Sequence, residues 1–298
     1  MIDRLVSVPA DYDLRGSLAS LMKSGMSPPI ARWVDGALHK ATSTPSGPAS
    51  VRFARAAEGV EVKAWGPGAD WVLANAERWL GLHDDPSAFE PLHPVLAEQH
   101  RRRRGVHLGH THRVFDALFY VILGQKVTEQ GARGSRQSLW CQYAETAPGP
   151  VHLLLPITPS VLMELGTFHF HPHNVEAKRA ATILECARRA KRLEETVHME
   201  LPDAHARLHA VRGLGPWTIG LVAAVALGDP DAVQVGDYHL KNTVAWHLAG
   251  EDRATDERMV ELLQPWSGQR RRAVAYLGLS GAAPRYGPRL GVNDIRGR

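Results

Sequence analysis

Cysteine is scarce in this sequence, and long hydrophobic runs are missing. The 298 residues include two cysteines, Cys141 and Cys186, which lie too far apart to form a CxxC pair. The chain alone therefore offers neither a four-cysteine zinc site nor a four-cysteine iron–sulfur cluster, and unpaired cysteines are typical of a reducing compartment. No stretch approaches the roughly 18 uninterrupted apolar residues of a membrane span, and no basic segment followed by an apolar one opens the chain. We expect a cytoplasmic monomer without a membrane segment.

The sequence also has little excess of positive charge. It contains 35 Lys and Arg residues and 31 Asp and Glu residues, which gives a net charge of +4. The arginines are clustered, however, as RRRR at 101–104 and as RRR at 270–272. Such clusters fit a polyanionic partner such as nucleic acid. They are equally typical of a solvated face or a linker, so charge alone leaves both interpretations open.

The N-terminal third predicts a small α+β unit. Two alternating runs, 51–56 and 60–65, are joined by a glycine-containing turn and predict a β-hairpin. The Asp35-Gly36 turn and a break at 45–47 extend it into an antiparallel meander, and residues 69–82 predict a helix over the sheet. Residues 84–112 are rich in Pro, His and Arg and are interpreted as a basic connecting loop.

The rest of the chain is helical in pattern. Apolar residues recur at helical spacing, with Gly or Pro between the segments, over nine stretches: 115–123, 128–143, 159–165, 175–193, 203–211, 216–227, 238–248, 256–263 and 271–279. The predicted fold class is therefore mostly α with a small N-terminal antiparallel sheet. We place the N-terminal domain and its basic linker at 1–105 and the helical domain at 106–298.

One segment of the helical part has the pattern of a helix, a tight turn and a second helix. The turn is Gly213-Leu214-Gly215, and Pro216 stands at the first position of the second helix. Glycines let the backbone turn tightly and approach a ligand, and the free N–H groups of a helix start can bind a phosphate. A plain turn between helices remains the simpler interpretation of this spacing alone.

A single carboxylate follows the second helix of this motif. Asp237 stands at the end of a Gly/Asp/Pro-containing loop, twenty residues after Trp217 and just before the next predicted helix. By itself, this position predicts that Asp237 is a helix N-cap. A carboxylate at this place can also carry chemistry, and the two roles are compatible.

The combination of GLG turn, second helix, Gly/Asp/Pro loop and aspartate resembles the signature of the helix-hairpin-helix DNA glycosylase superfamily. The resemblance is closest to bacterial 3-methyladenine DNA glycosylase II and covers most of the chain. The segment Ile122-Leu-Gly-Gln125 is similar to that family's ILGQ-type segment, and Trp266 to Ala273 is similar to its C-terminal tryptophan, arginine and alanine pattern. The resemblance implies a fold with this hairpin and a small β domain.

The resemblance also implies roles for individual residues. Asp237 would be the catalytic carboxylate that stabilises positive charge on the deoxyribose as the base departs. Lys126 falls on the wedge position that fills the gap left by an extruded base, although relatives carry an apolar residue there, and an ordinary exposed lysine is the alternative. Gln125 would contact bases through the minor groove. The remaining residues of the implied DNA contact are Gly213, Gly215, Thr218 and Lys241.

Relatives that also cleave the strand use a lysine amine near the start of the hairpin's second helix, where this chain has Trp217. An indole cannot form the imine, so we expect a monofunctional enzyme that releases alkylated purines of the 3-methyladenine type without strand cleavage. Trp217 would either line the pocket for the extruded base or pack in the core. Tyr238 and Leu221 would line the base pocket. Excision of deaminated or oxidised bases and non-catalytic DNA binding are the alternatives.

The expected partner is double-stranded DNA that contains damaged bases, and no cofactor is required. In the family, backbone carbonyls of the hairpin often hold a monovalent cation. Here those carbonyls belong to His209, Val211 and Leu214, so a structural Na⁺ or K⁺ is an expectation from the resemblance.

Overall fold

The N-terminal part folds as a five-stranded antiparallel sheet in the computed structural model, which describes residues 1–19, 21, 30–281, 283–284 and 291–297. The strands lie in the order β1-β5-β4-β3-β2 and are β1 (Ile2–Val6), β2 (Ala31–Val34), β3 (Ala37–Thr44), β4 (Gly47–Ala56) and β5 (Gly59–Trp65). Asp35 and Gly36 both have positive φ, 48° and 74°, as the tightest hairpin turns require. The predicted meander is confirmed. Strand β1 escaped prediction because only Val6 of its five residues is buried, so its sequence does not alternate.

One face of the sheet is covered by helices. A short helix, α1 (Leu14–Ser17), follows β1, and two more, α2 (Ala69–Ala74) and α3 (Ala76–Trp79), follow β5. Buried Leu38, Phe53 and Trp79 belong to the core between these layers. The single helix predicted at 69–82 is interrupted at Asn75, whose side-chain Nδ2 donates to the carbonyl of Trp71. A side chain that bonds the local backbone competes with helical continuation.

The segment 84–112 is more ordered than a connecting loop. It contains a 3-10 helix, Pro86–Ala88, and helix α4 (Pro94–Arg102), which begins with proline and is capped by the His93 side chain. Phe89 and Leu96 are buried against residues of the C-terminal helices. The sequence prediction of a loop here is wrong, because this nine-residue helix buries one apolar residue, Leu96, and so leaves little helical periodicity in the sequence.

Ten further α-helices build the rest of the described chain, and the mostly α fold class is confirmed. They are α5 (Val114–Ile122), α6 (Glu129–Tyr143), α7 (Pro159–Met163), α8 (Ala177–Arg188), α9 (Ala190–Glu194), α10 (Leu201–His209), α11 (Pro216–Val222), α12 (Leu240–Ala249), α13 (Asp256–Leu262) and α14 (Arg270–Leu277). A π-helical turn, Ala223–Leu227, continues α11. Within the described residues no helix is long and apolar enough to cross a bilayer.

The arginine cluster at 270–272 is structural. Arg272 is 1% exposed and pairs with Asp84, while Arg271 donates to the carbonyl of Gly109 at 2.8 Å. Arg270 pairs with Asp231. Arg271 and Arg272 thus tie α14 to the segment that joins the sheet to the helices, and Arg270 ties it to the loop that follows α11. The interpretation of this run as a polyanion-facing surface is therefore wrong, since its charges are buried or already paired.

Candidate active site

The predicted helix-turn-helix motif is present as α10, the turn 210–215 and α11. Gly213 has φ 98°, and a Cβ there would lie 2.3 Å from Oγ1 of Thr182 on α8, so glycine is required both by conformation and by space. Gly215, the N-cap of α11, has φ −92°, and a Cβ there would meet nothing within 4 Å. Leu214 between them is buried in the helical core. The fold therefore requires glycine at position 213, where a Cβ would collide with Thr182. At position 215 there is open space for a side chain.

Gln125 joins a second turn to this hairpin. Its Nε2 donates to the carbonyl of Gly213 at 3.0 Å and to Oγ1 of Thr218 at 2.8 Å. Thr218 is 2% exposed, so its side chain is part of the fold. The neighbouring Lys126 is exposed and has φ 55°, a conformation that is uncommon for a residue with a side chain. The segment 122–126 thus presents Lys126 from a tight turn that the hairpin holds in place.

Asp237 and Trp217 meet across the loop that follows α11. The indole Nε1 of Trp217 donates to Oδ2 of Asp237 at 2.9 Å. Oδ1 of Asp237 accepts from the backbone N–H groups of His239 and Leu240 at 2.8 and 2.9 Å. Three N–H donors therefore fix both oxygens of this partly exposed carboxylate. The predicted capping role is present, although α12 itself begins two residues later than expected, at Leu240.

Asp256, which the sequence analysis did not select, holds the same loop from the other side. Its Oδ1 accepts from the backbone N–H of Gly236 at 3.1 Å, and its Oδ2 lies 3.4 Å from Nζ of Lys241. Lys241, predicted to contact DNA, is thereby paired with a carboxylate within the protein. Asp256 is the first residue of α13, where an acidic residue is ordinary, so no sequence signal pointed to this contact.

The predicted pocket residues differ in exposure. Leu221 and Trp217 are half-buried and pack against the main helical core. Tyr238 is 55% exposed, and its ring lies edge-on to the ring of His239. Trp217 and Leu221 thus lie on one face of α11, one turn apart, whereas Tyr238 lies on the loop beside Asp237.

The carbonyls of His209, Val211 and Leu214 stay the predicted ligands of a monovalent cation. The carbonyl of Val211 accepts from the N–H of Leu214 at 3.1 Å and so closes the turn, while His209 ends α10. Neutral carbonyl oxygens are ligands that a monovalent cation takes, so the chemistry of these three groups fits such an ion. Elsewhere, within the described ranges, no group of three or more His, Cys, Asp or Glu side chains is arranged to hold a metal ion.

Exposed cations occur on both turns and on helices α6 and α8, although they are far apart in sequence. Four exposed cations lie on or next to the two turns and the helices that contact them, and no ion pair to another described residue is formed by any of them: Lys126, Arg133, Lys178 and Arg212. Lys178 lies one turn before Thr182, which contacts Gly213. Arg133 lies on α6, which begins three residues after Lys126. By contrast, Arg101 and Arg102 of the RRRR run pair with Glu98. We refer to the four cations as the hairpin patch.

Two curated proteins of Bacillus subtilis (strain 168) are similar to the chain in sequence. A DNA-3-methyladenine glycosylase is 22% identical over 219 residues, which cover 69% of this chain and 71% of that protein. The protein YfjP, whose name assigns it provisionally to the DNA-3-methyladenine glycosylases, is 31% identical over 85 residues. That match covers 28% of this chain and 30% of the relative, so it spans less than a third of the relative's length. No family model matches the chain.

Solved structures extend the likeness to nearly the whole chain. The 3-methyladenine DNA glycosylase of Archaeoglobus fulgidus superposes with a TM-score of 0.76 at 18% identity, over 94% of this chain and 98% of that one. An 8-oxoguanine glycosylase/lyase of Clostridium acetobutylicum, solved with double-stranded DNA, superposes with a TM-score of 0.68 at 13% identity, over 90% and 92% of the two chains. The chain therefore has the fold of the helix-hairpin-helix DNA glycosylases and resembles 3-methyladenine glycosylases in sequence.

Proposed function

We propose that this chain is a monofunctional DNA glycosylase that extrudes an alkylated purine from duplex DNA and hydrolyses its N-glycosidic bond. The observation that carries the proposal is the carboxylate of Asp237, fixed by Trp217 and by two backbone N–H groups next to the hairpin. The sequence relatives that are named as 3-methyladenine glycosylases support the choice of substrate class. We further propose that the protein acts as a monomer and needs no cofactor for catalysis.

Asp237 supplies what cleavage of a glycosidic bond needs. As the base leaves, the deoxyribose gains positive charge in an oxocarbenium-like transition state. A carboxylate held in place before the reaction stabilises that charge more in the transition state than in the ground state, and it orients the attacking water. Alkylation at N3 or N7 makes the base cationic and therefore a good leaving group. Little acid catalysis is then required, which suits a site with one fixed carboxylate.

DNA would be held by the hairpin and its patch. The first N–H groups of α11 lie next to Gly215, where space is open, and the positive end of the helix dipole favours a phosphate there. The hairpin patch adds charge for further phosphates. Lys126 would enter the gap left by the extruded nucleotide with its methylene stem, because the αL turn presents this side chain outward. Monovalent cation binding at the carbonyls of His209, Val211 and Leu214 would rigidify the turn.

Strand cleavage is not part of the proposal. A lyase of this fold needs an amine that forms an imine with the sugar, and the corresponding position is Trp217. Its ring nitrogen donates to Asp237 and has no lone pair to offer as a nucleophile. Trp217 is therefore a positioning residue for the carboxylate rather than a nucleophile.

Excision of oxidised or deaminated bases is the second candidate. The observation that favours it is the shared fold with an 8-oxoguanine glycosylase/lyase, since one fold can present different pockets. Simple DNA binding without catalysis is less favoured, because a carboxylate next to a phosphate-binding hairpin would repel the phosphate.

The test is base release from defined duplexes. The protein is incubated with methylated duplex DNA and with duplexes that contain uracil or 8-oxoguanine, and free bases and strand products are separated. The proposal expects methylated purines as free bases and intact strands. Preferential release of uracil or 8-oxoguanine, or a covalent complex trapped by borohydride, would replace it with the second candidate. Release of no base from any duplex would contradict both.

A further inference from the structure

Residues 123–128, which we call the wedge turn, join α5 to α6 and expose Lys126. Lys126 has φ 55°, a conformation that persists in a residue with a side chain only where the surrounding structure imposes it. One contact that does so is made by Gln125, which bonds Gly213 and Thr218 of the hairpin. The wedge turn is held by two further side chains, both of them arginines.

Two carbonyl groups at the end of α5 are paired by these arginines rather than by the backbone. The carbonyl of Tyr120 accepts from Nε and Nη2 of Arg136 at 3.3 and 3.2 Å. The carbonyl of Leu123 accepts from Nη1 of Arg179 at 2.9 Å. The last carbonyls of a helix lack partners within the helix, so the arginines supply bonds that the helix itself cannot make. Backbone N–H groups of residues 123–125 pair the neighbouring carbonyls of Phe119, Val121 and Ile122.

Arg136 spans the wedge turn from one side to the other. While it holds Tyr120 on α5, its Nη1 lies 3.1 Å from Oε1 of Glu129, the first residue of α6. Its guanidinium also lies over the ring of Tyr120, 3.6 Å from the ring centre. The side chain is buried, with 3% of the residue exposed. Arg136 therefore fixes the end of one helix relative to the start of the next.

Arg179 holds the wedge turn from a third helix, α8. It is 4% exposed, and besides Leu123 it bonds the carbonyl of Asn174 through Nη2 at 3.3 Å. Asn174 has φ 60° and follows the 3-10 helix Thr167–His173, so Arg179 joins two turns of unusual backbone conformation. Removing a guanidinium from water is costly unless it is hydrogen-bonded. The two carbonyl contacts are therefore a strong constraint on where the wedge turn lies.

We propose that Arg179 is a positioning residue for base extrusion. With Arg136 and Gln125 it fixes the wedge turn, so that Lys126 enters the gap in the duplex from a segment that is already ordered. Ordering a flexible segment during binding opposes binding, and a segment ordered beforehand avoids that loss of conformational entropy. This inference rests on the proposed function and assigns part of it to a buried residue.

The contribution of Arg179 should depend on whether there is a gap to fill. In a duplex, extrusion of a nucleotide leaves unstacked space beside the complementary strand, which an inserted side chain occupies. A single strand has no complementary base and no such gap. Loss of the Arg179 contacts should therefore slow base release from a duplex and spare release from a single strand, whereas a general structural defect would slow both.

The test uses one methylated strand, alone and annealed to an unmethylated complement, and measures single-turnover base release at saturating protein. In Arg179→Met, the rate on the duplex relative to the rate on the single strand should fall about tenfold, as expected for loss of a hydrogen bond from a charged donor. Release from the single strand reports folding of the same preparation. Arg188→Met, which alters an exposed arginine of α8 paired with Glu185, should leave the ratio unchanged.

A second variant tests whether Arg179 acts through Lys126. Lys126→Gly suits the backbone at φ 55° but removes the side chain, and it should lower the same ratio at least as much as Arg179→Met. The double variant should then be no worse than Lys126→Gly alone, because residues that act as one unit do not add. If Arg179→Met does not fold, Arg179→Lys is measured in its place, since it keeps the charge and lacks the guanidinium fork.

A third readout does not need catalysis. A 2-aminopurine placed opposite an abasic-site analogue gains fluorescence when an inserted side chain unstacks it. The gain on saturation with the unaltered protein should be reduced in Arg179→Met and in Lys126→Gly, and retained in Arg188→Met.

The outcomes separate this inference from the proposed function. Equal slowing on the duplex and the single strand would overturn the inference, since Arg179 would then support only the fold, and so would a double variant whose loss is the product of the two single losses. If the unaltered protein releases no base from either substrate, the proposed function fails. The fluorescence then decides the inference alone, as it does where base is released only from the duplex. An equal gain in the unaltered protein, Arg179→Met and Lys126→Gly would overturn it.

Discussion

The indole Nε1 of Trp217 donates a 2.9 Å hydrogen bond to Oδ2 of Asp237, a residue twenty positions further along the chain. Through this contact Trp217 orients the carboxylate of Asp237. Asp237 lies in a loop without regular structure, and its carboxylate would otherwise be oriented only by the backbone N–H groups of the following residues. The rigid α11 therefore positions the carboxylate through one side chain.

Trp217→Phe removes this hydrogen bond and keeps an aromatic ring. A hydrogen bond to a charged group contributes about 1.5–3 kcal/mol, so we expect single-turnover base release to slow about 10- to 100-fold while DNA affinity changes little. Trp246→Phe on α12 is the matched control and should keep the original rate, because Trp246 is partly exposed. Equal rates for Trp217→Phe and the unaltered protein would remove the positioning role from the account.

The two glycines of the hairpin turn should respond differently to the same substitution. Gly213→Ala places a Cβ 2.3 Å from Thr182 at φ 98°, and the unfavourable backbone alone costs about 1–2 kcal/mol, so the melting temperature should fall. Gly215→Ala meets no atom within 4 Å, so its stability should be unchanged while DNA affinity decreases. Thermal unfolding and binding to a lesion duplex separate the two effects. A stable Gly213→Ala protein, or unimpaired DNA binding by Gly215→Ala, would contradict this division of roles.

Protein stability should decrease as the pH falls from about 6.5 to 4. Burial first, and neighbouring positive charge second, lower the pKa of His110 to about 3 and that of His112 to about 4. Unfolded histidine takes up its proton near pH 6.5, so in this window the unfolded chain binds more protons and the free energy of unfolding falls with pH. Above about pH 6.5 the contribution is fully present.

Urea unfolding at about pH 7 and pH 5 checks this. The double variant His110→Gln, His112→Gln should lose much of the difference between the two conditions, whereas His152→Gln, at an exposed position, should retain it. An identical pH dependence in all three proteins would show that other groups are responsible.

Affinity for DNA should depend on salt through the hairpin patch. Four phosphate contacts give a slope of about −3.6 in a plot of log affinity against log salt, at about −0.9 per contact. Arg212→Gln and Lys178→Gln should each reduce the slope by about one contact. Arg101→Gln, which removes a charge already paired with Glu98, should have little effect. The reverse pattern would place DNA on the RRRR segment instead.

Much of the fold could be predicted because it depends on local patterns. Helical periodicity located the helices of the C-terminal part, and turn residues such as Asp35 and Gly36 located the meander. The arginine run at 270–272 led to a wrong prediction of a surface for polyanions, because the sequence shows only the local density of charge. In the structure Arg272 pairs with Asp84, 188 residues away. Long-range pairs of this kind leave no periodic signal.

The contacts of the candidate site were also only partly predictable from the sequence. Asp237 could be selected from its position after the hairpin and from the family resemblance. Its bond to Trp217 could not, because the spacing of twenty residues does not say how the intervening loop folds back. Gln125 was expected to contact bases, and the structure shows its Nε2 bonded to Gly213 and Thr218 instead, while its contact with DNA stays a prediction.

The central claim is that the carboxylate of Asp237 drives base release. Asp237→Asn keeps an oxygen that can accept from the N–H groups of His239 and Leu240, so the loop and the hairpin patch should be preserved. The measurement is single-turnover release of methylated purines by this variant, alongside its affinity for the same duplex. The account predicts release at least about 100-fold slower than that of the unaltered protein, with affinity nearly unchanged, because preorganised charge stabilisation is lost. Release at the unaltered rate would contradict it.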